Sequence, residues 1–165
     1  MVQKKAWRSW VPVGVWLGVL VLESSDLGSS AHTGSWLLAA WTSLFGKPDP
    51  TTFEEVHHLI RKTGHFCGYG LLSWLIFRAL RASWRNRQEL ISQGRDYFWQ
   101  FRWAVLGVVG TAFVASLDEI HQTYNSARTG RWQDVVIDSS GAVVIQIIVF
   151  LAKPFARRAE DAREA

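Results

Sequence analysis

The chain has 165 residues, of which 48% are hydrophobic, and a formal net charge of +4. Its length fits about one domain, and its apolar residues are gathered into blocks, which points to a membrane protein. The basic residues lie between those blocks and form no long tail, so nucleic-acid binding is not indicated; a single cysteine, Cys67, excludes an internal disulfide and a cysteine-only metal cluster.

Four blocks read as membrane-spanning helices. The first is WVPVGVWLGVLVL, Trp10 to Leu22, preceded by Lys4, Lys5 and Arg8. It has the charged and apolar regions of a signal peptide, but no small-x-small cleavage site follows closely, so it is expected to remain as a helix. The others are Gly64 to Leu80, Trp103 to Leu117 and Val135 to Leu151. Each is shorter than the ~20 residues a span usually needs, and flanking tryptophans at 7, 10, 99, 103 and 132 lie where an aromatic belt would extend them. The fold expected is therefore all-α, a single domain over residues 1–165 with four transmembrane helices and tails at 1–6 and 153–165.

Orientation follows from the basic residues. Thirteen Lys and Arg fall before the first block, from Arg78 to Arg102, and after Leu151, against five from Glu23 to Lys62 and from His121 to Gln133. The positive-inside rule then places both termini and the arginine-rich middle loop in the cytoplasm. The protein is expected in the cell membrane as a multi-pass protein, its 118–141 stretch on the outer face.

Between the first and second blocks, ESSDLGSSAHTGS is too polar and Gly/Ser-rich to span. Trp36 to Gly46 is too short to cross and is expected to lie in the outer interface or to re-enter the bilayer. After KPDP, Thr51 or Thr52 can cap a helix with Glu54 and Glu55 in its first turn, and that helix is expected to run without a break into the second span.

Polar side chains then fall on three stripes at one depth. His58, Lys62, His65 and Tyr69 follow steps of four, three and four; Asp118 and Glu119 precede Gln122 by four and three; Asp134, Asp138 and Gly141 stand at i, i+4 and i+7. Ionisable groups at membrane depth are costly unless they face the bundle interior and find partners. One shared cluster is expected, with Lys62, His65 and a loop arginine set against Asp118, Glu119, Asp134 and Asp138. Gly14-xxx-Gly18, Gly64-xxx-Gly68, and Gly107, Gly110 and Ala115 would permit close helix approach.

From Val56 to Leu151 these residues resemble the VanZ-like family of small bacterial membrane proteins, named for a teicoplanin-resistance factor. The likeness rests on RKTGHFCGYGLL followed by SLDEIHQTYNSARTGRWQDVVIDSSGAVV. Lys62, His65, Asp118, Glu119, Gln122, Arg128, Asp134, Asp138 and Gly141 fit the family pattern. The chain departs from it at Ser126 and Ala127, where a Pro-Gly pair often precedes the arginine, and Arg131 is a second candidate for the role of Arg128.

Four readings of the set stand side by side. It can be a structural ion-pair network, or a headgroup site in which Lys62, Arg128 or Arg131 grips an anionic group while the acids, Tyr69 and Gln122 orient an amine or hydroxyl. Asp118, Glu119 and His65 can serve as general acid and base if the protein is an enzyme. A divalent metal on the acids and His65 is the fourth; no metalloprotease spacing is present, and neither a metal nor a cofactor is expected. The expected partner is membrane lipid or an envelope amphiphile, and the alternative is a non-catalytic scaffold.

Topology is directly testable. In a Cys67→Ser background, a cysteine introduced at Ser126 should react with a membrane-impermeant thiol reagent in intact cells. Reaction only after permeabilisation would invert the orientation.

Overall fold

The computed structural model describes residues 7–25, 28–84, 87–96, 98–123 and 131–164. Among these residues the protein is all-α. A 3₁₀ turn at Trp7–Ser9 leads into six helices: α1 at Val11–Ser24, α2 at Ser30–Phe45, α3 at Pro50–Ser83, α4 at Arg87–Ser92, α5 at Phe101–Thr123 and α6 at Trp132–Glu164.

Helices α3, α5 and α6 pack into the central trio, and α1 leans on α3. Trp10 at the start of α1 donates its indole N–H to Ser83 Oγ (3.0 Å) at the end of α3, and Trp16 donates to the Gly68 carbonyl (2.8 Å). The two helices are thus antiparallel. Helices α3 and α6 instead run parallel and in register, because Lys62 meets Asp134 and Ser73 meets Gln146, pairs separated by 72 and 73 residues. One end of the bundle carries the polar stripes and the other carries the arginine-rich connection.

At the arginine end the cations lie over aromatic rings. Arg102 sits 3.4 Å from the Trp84 ring centroid and Arg81 4.8 Å from that of Phe98, while Lys153 pairs with Asp96 at 3.0 Å. Leu90 of the short α4 is buried against Phe77 and Trp103, so this connection folds back onto the bundle.

Two helices, Phe101–Thr123 and Trp132–Phe155, are long and apolar enough to cross a membrane. Only 33% and 22% of their most apolar windows are buried. A core helix of a soluble protein would hide most of such a face; these leave Val109, Phe113, Ile147 and Ile148 exposed, which is what lipid solvates. The other two expected spans fall short of that length or hydropathy. Helix α1 has 14 residues, about 21 Å at 1.5 Å per residue against a ~30 Å hydrocarbon core. Helix α3 is long, with 34 residues, but its first half is polar and only its second half is apolar.

The helix ends are set by local caps, and one of them is not the expected one. Part of the polar stretch is helical from Ser30, because Ser29 caps α2 by accepting from His32 N (3.5 Å); α2 ends at Gly46, whose φ of 82° lies in a region that glycine adopts at little cost. Helix α3 is capped by Asp49 rather than by Thr51 or Thr52: Asp49 Oδ2 accepts from Thr52 N (3.0 Å), and Pro50 occupies the first helical position. The tail from 153 is helical to Glu164, through Pro154. Helix α3 runs without a break from Pro50 to Ser83, the continuity that the sequence indicates.

Of the glycines expected at close approaches, Gly107 is at one, since a Cβ there would stand 3.0 Å from the Ser73 carbonyl oxygen; the tightest falls elsewhere. A Cβ at Gly14, Gly18 or Gly64 would meet nothing within 4 Å, whereas one at Gly141 would stand 2.1 Å from the Phe66 carbonyl oxygen and one at Gly70 3.1 Å from that of Gly141. The α3/α6 crossing therefore requires glycine at 141. Gly141→Ala is expected to lower stability by about 1–3 kcal/mol through backbone displacement, whereas Gly14→Ala should be neutral or stabilising by up to ~1 kcal/mol. Thermal melts in detergent check both; equal melts for the two variants would contradict this crossing.

Candidate functional site

The three polar stripes meet where the first half of α3, the end of α5 and the start of α6 come together. The parallel register of α3 and α6 matches their side chains rung by rung. Lys62 forms an ion pair with Asp134 at the outermost rung, where the side chains are 26% and 22% exposed. One turn further in, His65 Nδ1 faces Asp138 Oδ1 at 3.5 Å, too far for a strong hydrogen bond, and Asp138 is only 2% exposed. Below it, Tyr69 donates its hydroxyl to Asp118 Oδ2 (3.0 Å), which also accepts from Gln122 Nε2 (2.9 Å). The His65 and Tyr69 rings stack with centroids 6.1 Å apart, as their i, i+4 spacing allows.

Glu119 is buried and its Oε1 accepts the backbone N–H of Arg131. The expected arginine contact is thus altered: Arg131 reaches Glu119 through its amide at the entry to α6, and its residue as a whole is exposed. Arg128 lies outside the described residues, as do Ser126 and Ala127. The charged groups gather at this end of the bundle. They form adjacent pairs across helices, Lys62 with Asp134 and His65 with Asp138, beside a carboxylate held by neutral donors.

Two features went unread in the sequence. Gln146 donates to both the Ser73 hydroxyl (2.8 Å) and the Ser73 carbonyl (3.1 Å), in a buried contact directly beneath the acidic rungs. Its signal was available: a glutamine inside the apolar run from Val143 to Phe150 is a polar group that lipid cannot satisfy. The second is a latch between α2 and α3. Thr33 Oγ1 donates to the Ser29 carbonyl (2.9 Å), so its oxygen accepts from Arg61 Nη1 (3.2 Å) and from His57 Nε2 (3.0 Å). Phe53 stacks on His57, and Trp41 meets Phe53 edge-on. No sequence period joins Thr33 to His57, since the contact crosses a turn.

Beside this latch a cleft of about 460 Å³ opens between the end of α1, α2 and α3, lined by Trp36, Leu37, Ile60, Arg61, Gly64 and His65 among others. His65 therefore touches two environments, the cleft and Asp138. No group of three or more His, Cys, Asp or Glu among the described residues is arranged to hold a metal ion.

An all-α, partly membrane-spanning bundle with paired carboxylates at one end is the class that fold and site define. Residues 9–153 match the VanZ/LLP1 family, and the chain belongs to that family. No curated protein and no solved structure matches it.

The rungs should differ in energetic weight. Tyr69→Phe removes a buried donor to a carboxylate and is expected to cost about 1.5–3 kcal/mol. Lys62→Met leaves Asp134 where water can hydrate it and should cost no more than ~1 kcal/mol. Melting in detergent orders them; a larger loss for Lys62→Met would mean that the outer rung is the dry one.

Proposed function

We propose that the protein is a four-span VanZ-like protein of the cell membrane whose polar end recognises or modifies a cell-envelope amphiphile or a lipophilic glycopeptide, with a role in resistance to glycopeptides such as teicoplanin. The observation that carries this reading is the position of His65, which lines an open cleft on one side and faces a buried carboxylate on the other. A group bound in the cleft would lie against a side chain whose orientation the acidic rung controls.

Further support comes from direction. Helices α1 and α3 are antiparallel, and α1 with the apolar half of α3 would complete a four-crossing bundle beside the two apolar helices. In this reading both termini lie in the cytoplasm and the cleft at the outer leaflet, as the positive-inside rule favours. Helix α2, with Trp36, Leu44 and Phe45 exposed, suits the outer interface. In this reading Lys62, Tyr69, Gln122, Arg128, Arg131, Asp134 and Asp138 form the ligand-facing set, and Asp118, Glu119 and His65 supply the acid–base groups if a bond is broken.

A second reading is favoured by the completeness of some pairs. Lys62 with Asp134 and Tyr69 with Asp118 are the contacts expected of a non-catalytic scaffold whose polar cluster fixes helix register.

Glu119→Gln and Asp134→Asn separate the two. Glutamine at 119 keeps an oxygen for the Arg131 amide, and Lys62 at the outer rung can be hydrated. Both variants are expected to reach the membrane at near-normal yield, to melt within ~1 kcal/mol of wild type, and to lose glycopeptide or envelope-stress tolerance. Normal tolerance at normal yield in both would sink the site reading and leave the scaffold.

A further inference from the structure

The cleft beside His65 has a composition that selects among guests. At about 460 Å³ it lies near the small end of ligand pockets, roughly 300–1,000 Å³. That is room for one headgroup and too little for an entire glycopeptide.

Charge narrows the choice. Glu23 and Arg61 contribute one charge of each sign, and His65 on the same lining is paired with Asp138. Burial, and then the nearby Arg61 and His58, hold the His57 imidazole below its ordinary range, which favours its neutral form. The wall is thus balanced in charge and mixes donors with acceptors. Hydroxyls both donate and accept, so a polyol satisfies such a wall; a phosphate only accepts and would face Glu23.

Shape agrees with chemistry. Trp36, 79% exposed, lies on the cleft's lining with Leu37 and Ile60. An indole offers a flat apolar face that the C–H face of a pyranose can cover. Gly64 also lines the space, and a Cβ there would meet nothing within 4 Å, so its missing side chain keeps the cleft open. His65, with Nδ1 toward Asp138, keeps its other ring nitrogen for a further hydrogen bond.

We infer that this cleft binds a single neutral sugar headgroup of a membrane amphiphile, with Trp36 against the ring and His65, oriented by Asp138, on one hydroxyl. The inference rests on the amphiphile reading above and names its headgroup.

The test uses the full chain, purified in a sugar-free zwitterionic detergent and titrated by calorimetry with submicellar octyl β-D-glucoside or octyl phosphate. Gly64→Leu fills the cleft, and Trp36→Ala removes an exposed side chain that the fold does not need; helix content and melting verify folding. The glucoside should saturate wild type, bind at least tenfold more weakly to both variants, and outcompete octyl phosphate by at least tenfold. Tight octyl phosphate binding that Gly64→Leu abolishes would overturn the sugar assignment and leave the amphiphile reading intact. Glucoside binding unchanged in both variants would be hydrophobic partition and would overturn the cleft. Absence of binding by either amphiphile would overturn the cleft alone if Glu119→Gln still loses envelope tolerance, and both readings if it does not.

Discussion

The contact on which the rest depends is the crossing of α3 and α6 at Gly141. The Phe66 carbonyl occupies the space a side chain would need there, and the two backbones approach as glycine alone permits. Because the helices also run parallel, this one contact sets the register of everything above and below it. Lys62 falls opposite Asp134 and His65 opposite Asp138 on one side of the crossing, and Ser73 falls opposite Gln146 on the other. A shift of one residue along either helix would turn each pair through about 100° and separate it.

The rungs grade from charged to neutral along the bundle. The full ion pair sits outermost and partly exposed, the His–Asp pair comes next, then a carboxylate held by a phenol and an amide, and finally the neutral Ser73–Gln146 contact. Formal charge decreases along the bundle toward its apolar middle. Charged groups cost several kcal/mol at bilayer depth, whereas amides and hydroxyls that bond across helices are retained at a gain of about 1 kcal/mol. At the opposite end the cations lie over indole and phenyl faces, which suits an interface where the ring is in lipid and the charge in water.

Helix α2 belongs to a different regime. It is joined to the bundle through His57 and its neighbours and leaves most of its large side chains exposed. The cleft exists because α2 stands off α3 there, with Gly64 on one wall and Gly34 against the His57 ring. Packing in the trio and looseness at α2 are complementary: the first holds His65 and Asp138 in place, and the second gives His65 an open side.

Composition and periodicity by themselves determined the helical class, the continuity of α3 and the residues of the three polar stripes, because helical spacing of three and four is a local property that the chain carries wherever it folds. The family was legible for the same reason, its signature being side chains at fixed spacing on single helices. Tertiary structure alone decided which acid meets which partner, since Lys62 could have served any of four carboxylates until the Gly141 crossing chose Asp134. It also decided that the packing requires glycine at 141 and 107 and not at 14 or 64. The Thr33–His57 latch and the cleft likewise lie between elements separated by a turn, and no period in the chain encodes a distance across such a gap.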